Sequence, residues 1–277
     1  MNNCLEIKYK NAKKERQRIF GACFYSKNRE GIEIFVKGIK KKFFFDFDSR
    51  NIKDKEFVVK LIIKRKEINM NYMFCFCSSL IYVKGFSNLS NIKINGITGM
   101  FTGCSLLIDL SDIGKINTKN IIDMNNIFLG CKCLTKLNGI ESWITSNVKS
   151  MKNLFYGCES LLYLPDLSKW DVSQLDDITS MFYGCKSLSF IPDIKICSKI
   201  IKKKGLFGDC RSLTFVPRCY FNNNEEGSEI CEVFFNCISL SYIPIFNNEK
   251  IFKNFKTLFS ECISCISLSE CEKNINY

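Results

Sequence analysis

Residues 154–161, which read LFYGCESL, decide the fold because near-copies of this segment recur along the chain. Residues 100–107 read MFTGCSLL, residues 127–134 read IFLGCKCL and residues 181–188 read MFYGCKSL. Eight such units align on an anchor cysteine at intervals of 25 or 27 residues. The anchors are Cys77, Cys104, Cys131, Cys158, Cys185, Cys210, Cys237 and Cys262. A repeat of this length is typical of proteins that stack one structural unit on the next.

Other columns of the alignment are nearly as constant as the cysteine. Phenylalanine stands three residues before every anchor, and leucine stands three residues after all but the last. Glycine directly precedes four anchors, at positions 103, 130, 157 and 184, which predicts a tight turn with positive φ. All four prolines fall in one column: Pro165, Pro192, Pro217 and Pro244. Stacking would place like residues above like, so we expect interior ladders of Phe, Cys and Leu.

One 25- or 27-residue unit cannot bury its apolar face alone, so the pattern predicts a stack of units around a continuous core. We predict a β-rich, leucine-rich-repeat-like solenoid over residues 68–277, with about eight coils of short parallel strands and helical turns. Residues 1–67 lack the repeat and are predicted to form a basic, β-rich N-terminal cap domain. Its alternating segments, around Leu5–Tyr9 and Ile32–Ile34, and the β-branched run Phe57–Ile63 indicate a small antiparallel sheet.

The best copy of the repeat, residues 170–188, reads WDVSQLDDITSMFYGCKSL. It resembles the repeat of the BspA-type leucine-rich-repeat surface-protein family, which is also described as the mycoplasma lipoprotein-associated repeat of unknown function. The resemblance covers about residues 68–270, and Trp143 begins a second good copy. It implies a leucine-rich-repeat-like superhelix that binds other macromolecules, and it carries over no catalytic residue.

Five residues after the anchor, one column is rich in aromatic side chains. It holds Tyr82, Asp109, Lys136, Tyr163, Phe190, Phe215, Tyr242 and Ser267. The next column is aliphatic, and side chains alternate along an extended chain, so the aromatic column should face outward. Contiguous exposed aromatics mark binding surfaces, so the candidate partner-binding residues are Tyr82, Tyr163, Phe190, Phe215 and Tyr242. The alternative is a ladder of rings that only stabilises the stack.

The chain has no histidine and no glycine-rich phosphate loop, which excludes triad hydrolases, histidine metal sites and common nucleotide-binding enzymes. We therefore expect a non-enzymatic protein without a cofactor, a catalytic residue or a metal site. The anchor cysteines are interpreted as small apolar core residues. Metal, redox or disulfide roles are the alternatives, with zinc at Cys262, Cys265 and Cys271 as the specific case.

Charge separates the two regions of the chain. Residues 1–67 carry a net charge of +10, and residues 68–277 carry +2. The leading hypothesis is a repeat scaffold that binds a protein partner through an extended face of the solenoid. The alternative is a nucleic-acid- or anionic-membrane-binding protein that acts through the basic N-terminal region, with clusters at 13–18, 40–42 and 64–66.

The sequence shows neither a signal peptide nor an apolar stretch long enough to span a bilayer. We therefore expect a cytoplasmic or otherwise intracellular protein with reduced thiols. Export to the cell surface by a non-classical route is the alternative. Residues 271–277 are too few to cover the last coil, so self-association through the C-terminal coil is a further expectation.

Overall fold

The computed structural model describes residues 3–194, 200, 202–217, 231–241 and 260–262. In these residues, strands alternate with turns, and one α-helix, α1 (Ala22–Lys27), is present. Short 3-10 helices cover Phe86–Leu89, Ile113–Lys115 and Ile140–Ser142. The strands are β1 (Cys4–Lys10), β2 (Gln17–Arg18), β3 (Ile32–Val36), β4 (Ile39–Lys41), β5 (Asp46–Phe47), β6 (Glu56–Ile63), β7 (Glu67–Ile68), β8 (Leu80–Lys84) and β9 (Lys93–Ile94).

The main sheet has five antiparallel strands in the order β4-β3-β6-β1-β8. In β1 the side chains of Leu5, Ile7 and Tyr9 are buried, while the residues between them are not. This alternation places one face of the strand against the core. The predicted strands around Leu5–Tyr9, Ile32–Ile34 and Phe57–Ile63 are confirmed as β1, β3 and β6.

Strand β8 joins the first repeat to this sheet. Ile7 of β1 pairs with Val83 of β8 on one side and with Val59 of β6 on the other. The Phe20 ring also lies 5.9 Å from the Phe74 ring, centroid to centroid, at the start of the ladder. The predicted division into residues 1–67 and 68–277 is a division of sequence pattern, and it stays a prediction. In the structure the five-stranded sheet contains strands from both sides of this division.

The predicted β-rich, leucine-rich-repeat-like solenoid of short parallel strands is wrong. The strands of the described residues lie mainly in an antiparallel sheet, and helices are few. Residues 95–194 form turns, two 3-10 helices and isolated parallel bridges such as Asp123↔Ser150 and Ser150↔Asp177, without an extended strand. The reason is local, because two positions four residues apart in each unit have positive φ, as at Asn126 (59°) and Gly130 (72°). Such residues interrupt an extended backbone, so a ladder of strand pairs cannot continue through the unit.

Consecutive units nevertheless contact each other in register. The rings of Phe101 and Phe128 lie 5.9 Å apart with an interplanar angle of 2°, and those of Phe128 and Phe155 lie 5.7 Å apart at 1°. The series of stacked rings continues through Phe182 and Phe207 to Phe234. The predicted interior ladder of phenylalanines is therefore confirmed over these residues. Stacked aromatic pairs contribute about 0.5–1.5 kcal/mol each beyond the area that they bury.

The four glycines before the anchors all have positive φ, between 67° and 72°, as predicted. A Cβ atom built on Gly157 would lie 3.7 Å from the Cα atom of Gly130, which is ordinary contact. At this position backbone conformation, rather than lack of space, favours glycine. At Gly103 both factors act, because a Cβ atom there would lie 2.7 Å from the Phe76 ring.

Candidate functional site

Three consecutive units present aromatic side chains of the predicted column to solvent. The exposed fractions are 47% for Tyr163, 53% for Phe190 and 37% for Phe215. Phe190 and Phe215 are paired by an isolated parallel bridge, so they lie side by side on neighbouring units. Leu162, next to Tyr163, is 52% exposed and adds to the apolar surface. We call Leu162, Tyr163, Phe190 and Phe215 the aromatic row.

The following column confirms that the aromatic row faces outward. Leu164, Ile191 and Val216 each follow an aromatic residue and are buried. Alternation between an exposed ring and a buried aliphatic side chain is expected where the backbone is locally extended. The bridge between Phe190 and Phe215 provides this local geometry.

Tyr82 has different surroundings from the rest of its column. Its hydroxyl donates a hydrogen bond to Glu6 Oε1 at 2.7 Å, and Lys84 Nζ lies 4.7 Å from the ring centroid. Burial and the hydrogen bond to Glu6 raise the pKa of Tyr82 to about 12. The structure therefore places Tyr82 in the contacts of β8 with β1, apart from the aromatic row. Tyr242 lies outside the described residues.

Three charged residues, one in each of three consecutive units, lie close to the aromatic row in sequence. The Glu159 carboxylate pairs with Lys132 Nζ at 2.9 Å and with Lys186 Nζ at 3.1 Å, and the three residues hold equivalent positions in consecutive units. Hydrogen bonds from the two lysines hold the pKa of Glu159 below its usual value. These ion pairs are exposed at the surface, so each contributes little to stability. They supply polar groups of the kind found at the rim of an interface.

The anchor cysteines face the interior and have a common hydrogen bond. Cys131 Sγ donates to Phe101 O and Cys158 Sγ donates to Phe128 O, each at 3.2 Å across one unit. Burial raises the pKa of the Cys158 thiol to about 12, which keeps it protonated at neutral pH. These contacts agree with the interpretation of the cysteines as core residues. All the cysteines among the described residues are free thiols.

In the part of the chain that the structure describes, no group of three acidic or cysteine side chains could hold a metal ion. Of the predicted zinc alternative, Cys262 is described and buried, whereas Cys265 and Cys271 lie outside the described residues. That alternative therefore stays untested. Acidic side chains after the anchors instead fix turns, as where Asp166 accepts hydrogen bonds from the backbone N–H and the hydroxyl of Ser168.

Lys203 is a buried cation that the sequence analysis did not single out. It occupies the column that holds Met151 and Ile178 in the two preceding units, and its side chain is 2% exposed. Burial lowers its pKa to about 8. An amine with a lowered pKa can act as a base, but this one is enclosed in the packed interior. Its position therefore favours a structural role.

Basic side chains from separate segments meet at the β4 edge of the sheet. Lys40–Lys42 and Lys64 belong to different clusters in the sequence, and Arg29 belongs to neither, yet all of them line one cleft. Sequence reasoning missed this grouping because it arises from the pairing of β3 with both β4 and β6. The short polar turn between Val36 and Ile39 was the available signal for the hairpin.

The fold and the surface define a class of protein: stacked repeats joined to an antiparallel sheet, with an exposed aromatic row. Residues 95–214, less than half of the chain, match a family model described as "Mycoplasma protein of unknown function, DUF285". That family is related to BspA-like repeat proteins, and the finer resemblance to the BspA type is not confirmed. No curated protein and no solved structure matches the chain. No helix in the described ranges is long and apolar enough to cross a bilayer.

Proposed function

We propose that this chain is a non-enzymatic repeat protein that binds a protein partner through the aromatic row. The observation that carries the proposal is the exposure of Tyr163, Phe190 and Phe215 in three consecutive units. The resemblance of the repeat to BspA-type surface proteins, whose repeats bind other macromolecules, supports it. The relationship of this chain to BspA-type proteins is itself proposed here.

The physical argument rests on the surface area of the rings. A buried aromatic side chain removes about 150–250 Å² from water and dominates the energetics of many interfaces. Aromatic residues near the centre of an interface, surrounded by polar groups, are the commonest hot spots. The aromatic row supplies the rings, and the ion pairs of Glu159 supply polar groups close to it in sequence.

The experiment compares three forms of the full chain as bait in affinity capture at about 150 mM salt. One is unchanged, one carries Tyr163→Ala, Phe190→Ala and Phe215→Ala, and one carries the control changes Ile122→Ala and Ile144→Ala. The control residues are 57% and 45% exposed and lie outside the aromatic column. We expect a discrete protein that the unchanged and control baits retain and the triple variant loses.

The stabilising-ladder alternative predicts another result. If the rings only stabilise the stack, the triple variant should melt at a lower temperature and still capture the partner once folded. Retention of the same partner by the folded triple variant would contradict the proposal. Thermal melting followed by circular dichroism shows whether each bait is folded.

The second candidate function is binding of nucleic acid or anionic membrane through the basic N-terminal region. The cationic cleft at the β4 edge is the observation that favours it. Binding to phosphate backbones weakens steeply with salt, because counterions are released. Captured nucleic acid or lipid that is lost at raised salt, and is unaffected by the triple variant, would favour this candidate.

Two other expectations also stay proposals. A reducing, intracellular location is supported by the many free thiols, and cell fractionation tests it against a surface location. Self-association through the C-terminal coil concerns a part of the chain of which only residues 260–262 are described. Sedimentation of the full chain over a range of concentrations tests it.

A further inference from the structure

A cleft of about 590 Å³ opens at the β4 edge of the five-stranded sheet. Its basic side chains are Arg29, Lys40, Lys41, Lys42 and Lys64. Glu33 is the one acidic residue among the described residues that line it, so the lining carries a net charge of +4. A concave surface of one sign concentrates counter-ions, because field lines focus in the cleft.

Three segments of the chain converge to build the cleft. Arg29 follows α1, Lys40 and Lys41 lie in β4, and Lys64 follows β6. The Lys64 N–H donates to the Gly31 carbonyl at 2.8 Å, which fixes the end of β6 beside the segment that follows α1. Lysine on an edge strand also deters pairing with other chains. That role does not require cations from the segments after α1 and β6 at the same place.

Glu33 holds two of the cations in place. Its carboxylate accepts a hydrogen bond from Lys40 Nζ at 2.8 Å and lies 3.6 Å from Lys64 Nζ. The hydrogen bond from Lys40 keeps the pKa of Glu33 below its usual value, so the carboxylate stays ionised at neutral pH. The two ammonium groups are thereby oriented around one point and retain other N–H donors.

An aromatic wall holds Arg29. Its guanidinium carbon lies 5.5 Å from the centroid of the Tyr25 ring, and that ring packs against Phe43 at 5.2 Å. A guanidinium over a ring face keeps its N–H donors at its rim, in the fork that matches a phosphate. Within the described ranges no carboxylate forms an ion pair with Arg29, Lys41 or Lys42.

We propose that this cleft binds an anion that carries two or more phosphate groups, with Arg29, Lys41 and Lys42 as the principal contacts. The net charge exceeds what a single phosphate dianion would neutralise, and the volume falls in the range of small-molecule sites. The shared chemistry is that of a free oligophosphate or of a phosphorylated lipid headgroup. The proposal is independent of the aromatic row.

The first experiment is calorimetric titration of inorganic tripolyphosphate into the full chain at about 150 mM salt. Its variant carries Lys41→Gln and Lys42→Gln, and its control carries Lys53→Gln and Lys55→Gln. The control removes the same charge from two exposed lysines outside the cleft. Loss of one charge-assisted contact weakens binding about tenfold, so we expect at least that for the cleft variant and less than about twofold for the control.

Glu33→Gln gives a test of opposite sign. Removing this carboxylate raises the net charge of the cleft and releases Lys40 and Lys64 toward the ligand. We expect tripolyphosphate to bind several-fold more tightly. Unchanged or weaker binding by a folded Glu33→Gln protein would contradict this position for the anion.

Two further arms identify the source of the phosphate groups. Phosphatidylcholine vesicles with about 5% phosphatidylinositol bisphosphate are sedimented with each protein, and pure phosphatidylcholine vesicles serve as the blank. Co-sedimentation that the cleft variant loses assigns the site to a lipid headgroup, whereas binding of tripolyphosphate alone assigns it to a free oligophosphate.

Two results would overturn the proposal. The first is that neither tripolyphosphate nor the phosphoinositide vesicles bind. The second is that the cleft variant and the control weaken the binding of tripolyphosphate equally. That pattern would show a diffuse attraction of the basic region for polyanions.

Discussion

At the scale of single residues, the buried cysteine and the left-handed glycine define each unit. The Cys158 thiol is fully buried and donates to Phe128 O, which joins one unit to the preceding one. Gly157, directly before it, has a φ of 67° that allows the turn. The turn at the left-handed residue directs the small apolar side chain that follows it into the core, where it packs without leaving a void.

Cys158 should make stability depend on alkaline pH. Burial raises the folded-state pKa of this thiol from 9.0 to about 12. The contribution of the buried thiol to the free energy of unfolding is therefore complete below pH 9 and is lost as the pH rises toward 12. Between pH 9 and 12 this thiol should cost the unchanged protein up to about 1.4 kcal/mol of unfolding free energy per pH unit. Cys158→Ala should remove this part of the pH dependence. Urea unfolding at several pH values measures it, with half-exposed Cys133→Ala as the control. Identical slopes for the Cys158→Ala and unchanged proteins would contradict the argument.

Gly157→Ala should destabilise the fold by about 1–2 kcal/mol, because the added Cβ disfavours a left-handed backbone. Gly103→Ala should lower the free energy of unfolding by a larger amount, since its Cβ atom would also lie 2.7 Å from the Phe76 ring. Gly157→Asn is the comparison, because asparagine tolerates this conformation better. Urea unfolding of the three variants gives the order, and a Gly157→Ala protein as stable as the unchanged one would disprove it.

At the scale of the element, a ladder of stacked rings joins consecutive units. Phe128 stacks on Phe101 at 5.9 Å, on Phe155 at 5.7 Å and on Trp143 at 6.1 Å. The Trp143 indole N–H also donates to the Ile113 carbonyl one unit earlier, at 3.2 Å. Phe128 contacts the unit before it and the unit after it, so the loss of its ring should destabilise both junctions.

Phe128→Ala should lower the free energy of unfolding by about 3–5 kcal/mol, because it leaves a cavity between stacked rings. Phe128→Leu keeps most of the volume and should lose considerably less. Chemical unfolding followed by circular dichroism measures both. The exposed Phe76→Ala is the control for a phenylalanine outside the ladder. Equal effects at positions 76 and 128 would mean that the ladder does not determine stability.

The sequence predicted some of these elements and not others. The alternation in β1 and β6 and the columns of Phe, Cys and Gly were informative because each depends on burial or backbone conformation at one position. The parallel strands were predicted wrongly, because Tyr72, Ser180 and Glu232 adopt positive φ at equivalent positions, a conformation that these residue types seldom take. The outward aromatic row could be predicted from period two. The cationic cleft could not, since it depends on how β3, β4 and β6 pair.

At the scale of the whole molecule, the sheet and the repeats share a strand. Ile7 in β1 lies between Val59 and Val83, and Cys4 O accepts a hydrogen bond from the side chain of Asn88 at 2.9 Å. The first repeat therefore depends on the N-terminal strands for pairing and for cover of its apolar face.

Removal of residues 1–67 should expose Leu80 and Val83 and leave β8 without its partner β1. We expect the shortened chain to aggregate or to melt well below the full chain. Size-exclusion chromatography and thermal melting of both chains test this. A monomeric shortened chain with an unchanged melting temperature would show that the repeats fold without the sheet.

The spacing of the units has a consequence for how such a chain can change length. Phe182 and Phe207 are 25 residues apart and Phe155 and Phe182 are 27 apart, yet the ring distances are 5.6 Å and 5.5 Å. A difference of two residues in the length of a unit therefore leaves the spacing of the stacked rings unchanged. Duplication of one complete unit would add a layer that meets its neighbours through the same contacts. A one-residue insertion between Phe155 and Cys158 would instead shift the ring against the thiol, so changes of length inside a unit should fall outside this segment, which has the same length in all eight units.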